Sequence, residues 1–245
     1  MGKLRVHNIE AQSGTNVDLG AAGDVVTLAS DSIQTNLYKD SGGNTLFQSD
    51  GAGTLSNVNS GLKGAGPVLI TTADSSQVTA IDFTTGLDST YDKYMFVILG
   101  WNPNTNGDGA MMNGATDGPS NPTYTVTKTS VAFETGHGEN NVNAGPVIYA
   151  GQSLAQSTGF QQINNGAGSD ADQCLAGIMY LYTPSSTANV KHYMITSNVY
   201  SGGDYSYVVY QAGYFNTTTA INAINFKMDT GNFAGTNALY GISKT

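Results

Sequence analysis

Residues 191–215 read KHYMITSNVYSGGDYSYVVYQAGYF, and this stretch decides the fold. It holds two β-branched and aromatic runs, Lys191–Tyr200 and Tyr205–Phe215, separated by turn residues. Both runs favour the pleated, half-buried surface of a strand over a helix. In the second run, Tyr205, Tyr207, Val209 and Gln211 alternate with Ser206, Val208, Tyr210 and Ala212, so both faces carry aromatics. Before them, Leu175–Tyr182 reads as an apolar strand buried on both faces, or nearly so. The same pattern predicts strands at Val68–Thr72, Val78–Phe83, Tyr94–Leu99, Thr123–Thr127, Ala132–Glu134, Val147–Tyr149, Ala223–Met228 and Ala238–Ile242. Only Gln152–Gln156 and Thr219–Ile224 permit a helix, and both are short. Many strands with no helical stretch between them predict an all-β fold: an antiparallel, jelly-roll-like β-sandwich over residues 67–245.

Composition agrees. The chain has 245 residues, enough to bury a real core. Only 11% of them are charged, and the 31 glycines suit a chain of strands and turns. The first 60 residues differ. Short extended pieces (Leu4–Ile9, Asn16–Leu19, Val25–Leu28, Ile33–Tyr38, Thr45–Phe47) alternate with turn clusters such as Ser41-Gly42-Gly43-Asn44. They hold too few large apolar residues to close a core alone, which predicts a strand-rich attachment and oligomerisation segment built from several chains. Ser56 to Gly66, rich in Ser, Asn and Gly, reads as a linker.

Charge and motifs exclude several classes. A net charge of −9 disfavours nucleic acid and anionic membrane surfaces as partners. No run approaches the ~20 apolar residues of a membrane helix. The N-terminus MGKLRVHNIEAQ lacks a signal peptide's apolar stretch, so synthesis in a cytoplasm without export is expected. The single cysteine, Cys174, reads as a buried, inert thiol. His7, His137 and His192 stand apart from one another, without metal spacing; His137 with Glu139, between glycines, is the best of them. Gly151-Gln152-Ser153-Leu154-Ala155 lacks the second glycine of a nucleophile elbow, and the Gly-x-Gly units reach no phosphate-loop fingerprint. The acids sit mostly in turns, so no glycosidase pair stands out. The chain is expected to have no enzyme activity and no cofactor.

One long stretch, Asn102 to Pro122 (NPNTNGDGAMMNGATDGPSNP), reads as a loop, and loops of that length tend to be functional. Trp101 would stand at its base, Met111 and Met112 would form a soft apolar tip, and Asn113 would lie beside them. Asp108, Asp117 and the asparagine carbonyls offer hard oxygen ligands for calcium, without a complete calcium-loop spacing. Trp101, Asp108, Met111, Met112, Asn113 and Asp117 are therefore the candidate external contact. For Trp101 a core ring is the competing reading. The fourteen tyrosines, on strand faces, suit subunit interfaces.

Three stretches carry a family resemblance. Residues 81–97 (IDFTTGLDSTYDKYMFV) resemble an Asp-Phe, Gly, Tyr-x-x-Tyr opening followed by an apolar strand. Trp101 to Gly107 resembles the turn after that strand, and residues 226–242 (FKMDTGNFAGTNALYGI) resemble the family's ending, with Thr230 for the usual Ser and Phe233 for the usual Ile. The family is the β-sandwich domain of tailed-bacteriophage virion proteins, often fibres or appendages. The resemblance implies a virion protein assembled in the host bacterial cytoplasm, without catalytic residues, among other virion structural proteins. It implies a homo-oligomer, with a trimer favoured. A tail fibre or host-contact appendage, touching a host glycan or protein, is the first reading, and the chain's length suits a compact appendage or a capsid-bound spike. A capsid decoration or cement protein is the alternative, and a carbohydrate-active enzyme the third.

Overall fold

The computed structural model describes residues 37–52, 55–56, 58–59 and 66–242. The expected strands before Leu37, His7 and most of the 56–66 linker lie outside these residues. The chain divides into two compact units, Met1–Leu62 and Lys63–Thr245.

In the first unit, β1 (Leu37–Lys39), β2 (Thr45–Ser49) and β3 (Leu55–Ser56) form a three-stranded antiparallel sheet in that order. Tyr38 lies opposite Phe47 and stacks on it at 4.3 Å between ring centroids. The β1–β2 turn is held by Asp40, whose Oδ1 accepts from the backbone N–H groups of Gly42 (2.9 Å) and Asn44 (2.8 Å).

The second unit is an antiparallel β-sandwich. Its strands are β4 (Val68–Val78), β5 (Ala80–Phe83), β6 (Lys93–Pro103), β7 (Ala110–Ala115), β8 (Lys128–Gly138), β9 (Asn143–Ile148), β10 (Gln161–Gln162), β11 (Leu175–Tyr182), β12 (Lys191–Tyr200), β13 (Tyr205–Phe215), β14 (Ala223–Met228) and β15 (Phe233–Ile242). One sheet has the order β4-β15-β6-β11-β12-β13-β8-β9, and the other β10-β7-β14-β5. The chain alternates between sheets from β4 to β8, then enters the smaller sheet again at β10 and at β14, returning to the larger one after each. Among the described residues the helical content is one 3-10 turn, Ala150–Gln152.

Aromatic rings knit the two sheets. Phe96 of β6 meets Phe83 of β5 and Phe226 of β14, each at 5.3 Å between centroids. Trp101 lies 4.1 Å from Phe233 and meets Phe226 edge-on at 6.2 Å. All of these rings are buried. Burying a large side chain contributes about 1.5–3 kcal/mol, so this line of rings dominates the core. Gly235, at φ 142, is where β15 bulges past the indole: a Cβ there would lie 2.6 Å from Trp101 Cδ1.

The core also takes in polar groups. Lys128 and Lys191 sit opposite Phe215, one on either side, and both are buried. The Lys128 ammonium donates to the Gly159 carbonyl, and Lys191 Nζ donates to that of Thr217 at 3.1 Å. Burial disfavours both charges and pushes the Lys128 ammonium down to about 8. The Tyr94 hydroxyl donates to the Asp88 carbonyl at 2.9 Å, and burial pushes the phenol up to about 12.

The structure corrects four expectations. The 102–122 stretch is not one loop: residues 110–115 are β7, between β10 and β14 in the smaller sheet. Its sequence AMMNGA lacks β-branched residues, so propensity does not reveal it; packing does. Gly114 is tight there, since a Cβ would come within 3.3 Å of the Phe215 ring and of Ile221. Thr123–Thr127 is not a strand, and its Tyr124 carbonyl accepts from Asn113 instead. Leu175–Tyr182 is buried on one face only, with Leu175, Met179 and Leu181 inward and Ile178 39% exposed. Cys174 is half-buried rather than buried.

Candidate functional site

An eight-stranded sheet opposed by a four-stranded one has two outward faces of unequal fate. Strand alternation sends Phe96, Met179, Ile195 and Val209 inward, and it sends the residues between them outward. Those outward residues should be polar if the face met only water. On the large sheet two central rows are mostly apolar. Backbone pairing aligns Val97, Ile178, Thr196, Tyr210, Phe133 and Ile148 in one row across six strands. The next row holds Met95, Tyr180, Met194, Ala212 and Val131.

These side chains are open to solvent. Tyr210 is 45% exposed, Phe133 47%, Met194 52% and Ile148 73%. Phe133 and Tyr210 stack at 5.2 Å. Shallow hollows lie between the larger groups. One of about 530 Å³ is lined by Val131, Met194, Ala212, Gly213 and Tyr214; another of about 370 Å³ by Val97, Leu99, Ala176, Gly177 and Ile178. Charge is confined to the borders of the face. Lys93 rests over the Tyr180 ring at 5.1 Å, and Asp74 accepts from the Thr236 hydroxyl at 2.6 Å. Between them the face offers apolar, aromatic and hydroxyl groups, the composition of a protein interface core.

The residues expected to form the external contact are dispersed. Trp101, Met112 and Asn113 are fully buried in their own subunit, so they contact nothing outside it. Trp101 takes the core-ring reading. Asn113 Nδ2 donates to the carbonyls of Tyr124 (2.7 Å) and Thr158 (3.0 Å). Asp108, 5% exposed, accepts from the N–H groups of Gly109 (2.9 Å) and Thr230 (3.2 Å), which ties β7 to the β14–β15 turn. Met111 is half-buried, opposite Lys227. Only Asp117 is exposed; both its carboxylate oxygens accept from the Thr123 N–H at 2.9 Å, and hydrogen bonding from the Thr123 side chain, then from its backbone, holds the carboxyl below the usual range. It borders a polar hollow of about 320 Å³ with Thr116, Thr123, Thr127 and Asn216.

The structure does not bring the two acids of this stretch together as ligands for calcium. Asp108 and Asp117 stand before and after β7, roughly 20–30 Å apart along the strand at ~3.3 Å per residue, and both carboxylates are already engaged. Among the described residues no group of three or more His, Cys, Asp or Glu could hold a metal ion. His137 and Glu139 do approach one hollow, with Tyr200 and Asp204. Their bonds are hairpin ties: His137 Nδ1 lies 2.8 Å from Asn143 Oδ1, and Tyr200 Oη donates to Glu139 Oε1 at 2.9 Å.

The open face was missed as a site because Ile178 and its neighbours read as interior residues. The signal that could have found it was the doubled apolarity of Leu175–Tyr182 and Tyr205–Phe215. Apolar groups on both sides of a strand need two layers to cover them, and the smaller sheet supplies one. Comparison with known protein families, with characterised proteins and with solved structures finds no match in any of the three.

Proposed function

We propose that this chain is a structural subunit of a tailed-phage particle, a tail fibre or host-contact appendage protein that works as a homo-oligomer. The observation that carries the reading is the open face of the eight-stranded sheet, apolar and aromatic across six strands. Exposed apolar patches of such extent are rare on isolated soluble proteins and mark sites of assembly. The residues behind the sequence resemblance also support it. Those at 81–97 and 226–242 supply most of β5, the first half of β6, the second half of β14 and all of β15, the strands whose rings join the two sheets. The sandwich then serves as a rigid building block rather than a vessel for chemistry.

The test is peptide mass spectrometry of purified particles, with gold-labelled antibody against the chain in electron micrographs. Multiple copies per particle, with label on the tail, support the proposal. Label confined to the head favours a decoration protein, and absence of the chain from purified particles overturns the whole reading.

A further inference from the structure

We propose that the open face of the eight-stranded sheet is covered by a further copy of this same chain. This deepens the reading above and rests on it only in taking the chain to be a subunit of an assembly.

Area is the first argument. Leu69, Leu99, Val131, Phe133, Ile148, Ile178, Met194 and Tyr210 each leave between 39% and 73% of their surface open. A whole large side chain offers about 150–250 Å², so these eight present roughly 600–1,000 Å². That exceeds the ~300–600 Å² of the largest patch on a typical monomer and reaches the ~800 Å² per partner of a stable interface.

Charge is the second. Each copy carries a net charge of −9, so two copies repel wherever acids face each other. The rows from Met95 to Val131 and from Val97 to Ile148 contain no acid and no base. Here two acidic copies can approach within the ~8 Å screening length without like-charge cost. A partner of opposite charge would find nothing on these rows to read.

Shape is the third. A contact between identical surfaces must carry its own complement. Tyr210, Met194 and Ile178 protrude, while Ala212-Gly213 and Ala176-Gly177 leave hollows on the same face. The hollows accept side chains of the kind that stand beside them.

The experiment is sedimentation velocity of the full chain across about 0.5–100 µM, beside Ile178→Lys, Tyr210→Lys and a control, Ser120→Lys, on an exposed loop. Circular dichroism checks that each variant folds. The wild type and the control are expected to sediment as two or more chains. Either face variant is expected to raise the dissociation constant roughly 30-fold or more, the scale of a truncated hot spot. If the lysine variants do not fold, Met194→Gln with Val131→Thr tests the same rows more gently, with a tenfold weakening expected. A wild type monomeric at 100 µM overturns the inference, and so does an assembly that the face variants leave intact. Either failure, with the chain still present in purified particles, removes this inference and leaves the virion-subunit reading standing, and a monomeric wild type also removes the homo-oligomer from that reading.

Discussion

The outer face of the four-stranded sheet is covered at β7 by the chain's own coil, whereas the central rows of the eight-stranded sheet's outer face are bare. On the small sheet, Asn113 at the middle of β7 is fully buried, because its amide donates to Tyr124 and Thr158 in the segments that run over it. Asn225, opposite Asn113 on β14, donates to Asp82 at 2.8 Å. On the large sheet the corresponding positions are Ile178, Tyr210 and Phe133, and no described segment of this unit crosses them. Polar groups on a covered face need partners in the same chain, since leaving them unpaired costs the full desolvation penalty. Apolar groups on a bare face need only another apolar surface, which a separate chain can bring. The two faces therefore separate what holds the subunit together from what is left for assembly.

The layer between the sheets should show the largest effect. Trp101→Ala is expected to lower unfolding free energy by about 3–5 kcal/mol in denaturant titration, as for large-to-small changes in tight cores. A loss below 1 kcal/mol would mean that the Trp101–Phe233–Phe226 contacts do not hold the sheets together.

Next comes pH. The Lys128 ammonium is pushed down to about 8 in the folded state, against an unfolded value near 10.5. Between those values the unfolded chain binds more protons, so stability rises with pH from about 8 to 10.5, by an order of 1–3 kcal/mol. Tyr94 acts with the opposite sign. Its phenol is raised to about 12 from 10.0, so the stability it contributes is lost as pH climbs through 10 to 12. Thermal melts from pH 7 to 11.5 should show a maximum near pH 10, and Lys128→Met should shrink the rising limb to the share left by Lys191, whose charge burial also disfavours, without touching the falling limb.

Asn113→Ala is expected to cost about 1–2 kcal/mol, because the carbonyls of Tyr124 and Thr158 lose their donor. Limited proteolysis should then cut first within residues 120–127. Substitutions on the bare face mark the small end of the scale. Met194→Gln and Val131→Thr should shift the stability of the isolated subunit by no more than about 0.5 kcal/mol, the usual range for surface sites. A cost near that of Trp101→Ala would mean that the face is part of the subunit's own core.

Strands rich in β-branched and aromatic residues were legible in the sequence to the residue: Leu175–Tyr182, Lys191–Tyr200, Tyr205–Phe215 and Ala223–Met228. There, intrinsic preference and tertiary position agree. β7 was not legible, since Ala110–Ala115 has the look of a loop and becomes a strand through its place between β10 and β14. Thr123–Thr127 was misread for the converse reason, as it has strand residues but no ladder to join. The candidate site suffered most. Met112 and Trp101 looked like a tip and its base because an apolar residue in an apparent loop suggests exposure. Ile178 looked like core because an apolar residue in a strand suggests burial.

The central claim is that chains of this protein bury the bare face against one another. Hydroxyl-radical footprinting tests it most directly, with reactivity followed at Met194, Tyr210 and Ile148 and compared with Val142, an exposed residue of the β8–β9 turn. The three face residues should be protected at assembling concentrations and become reactive on dilution, while Val142 stays reactive throughout. Equal reactivity of all four at every concentration would contradict it.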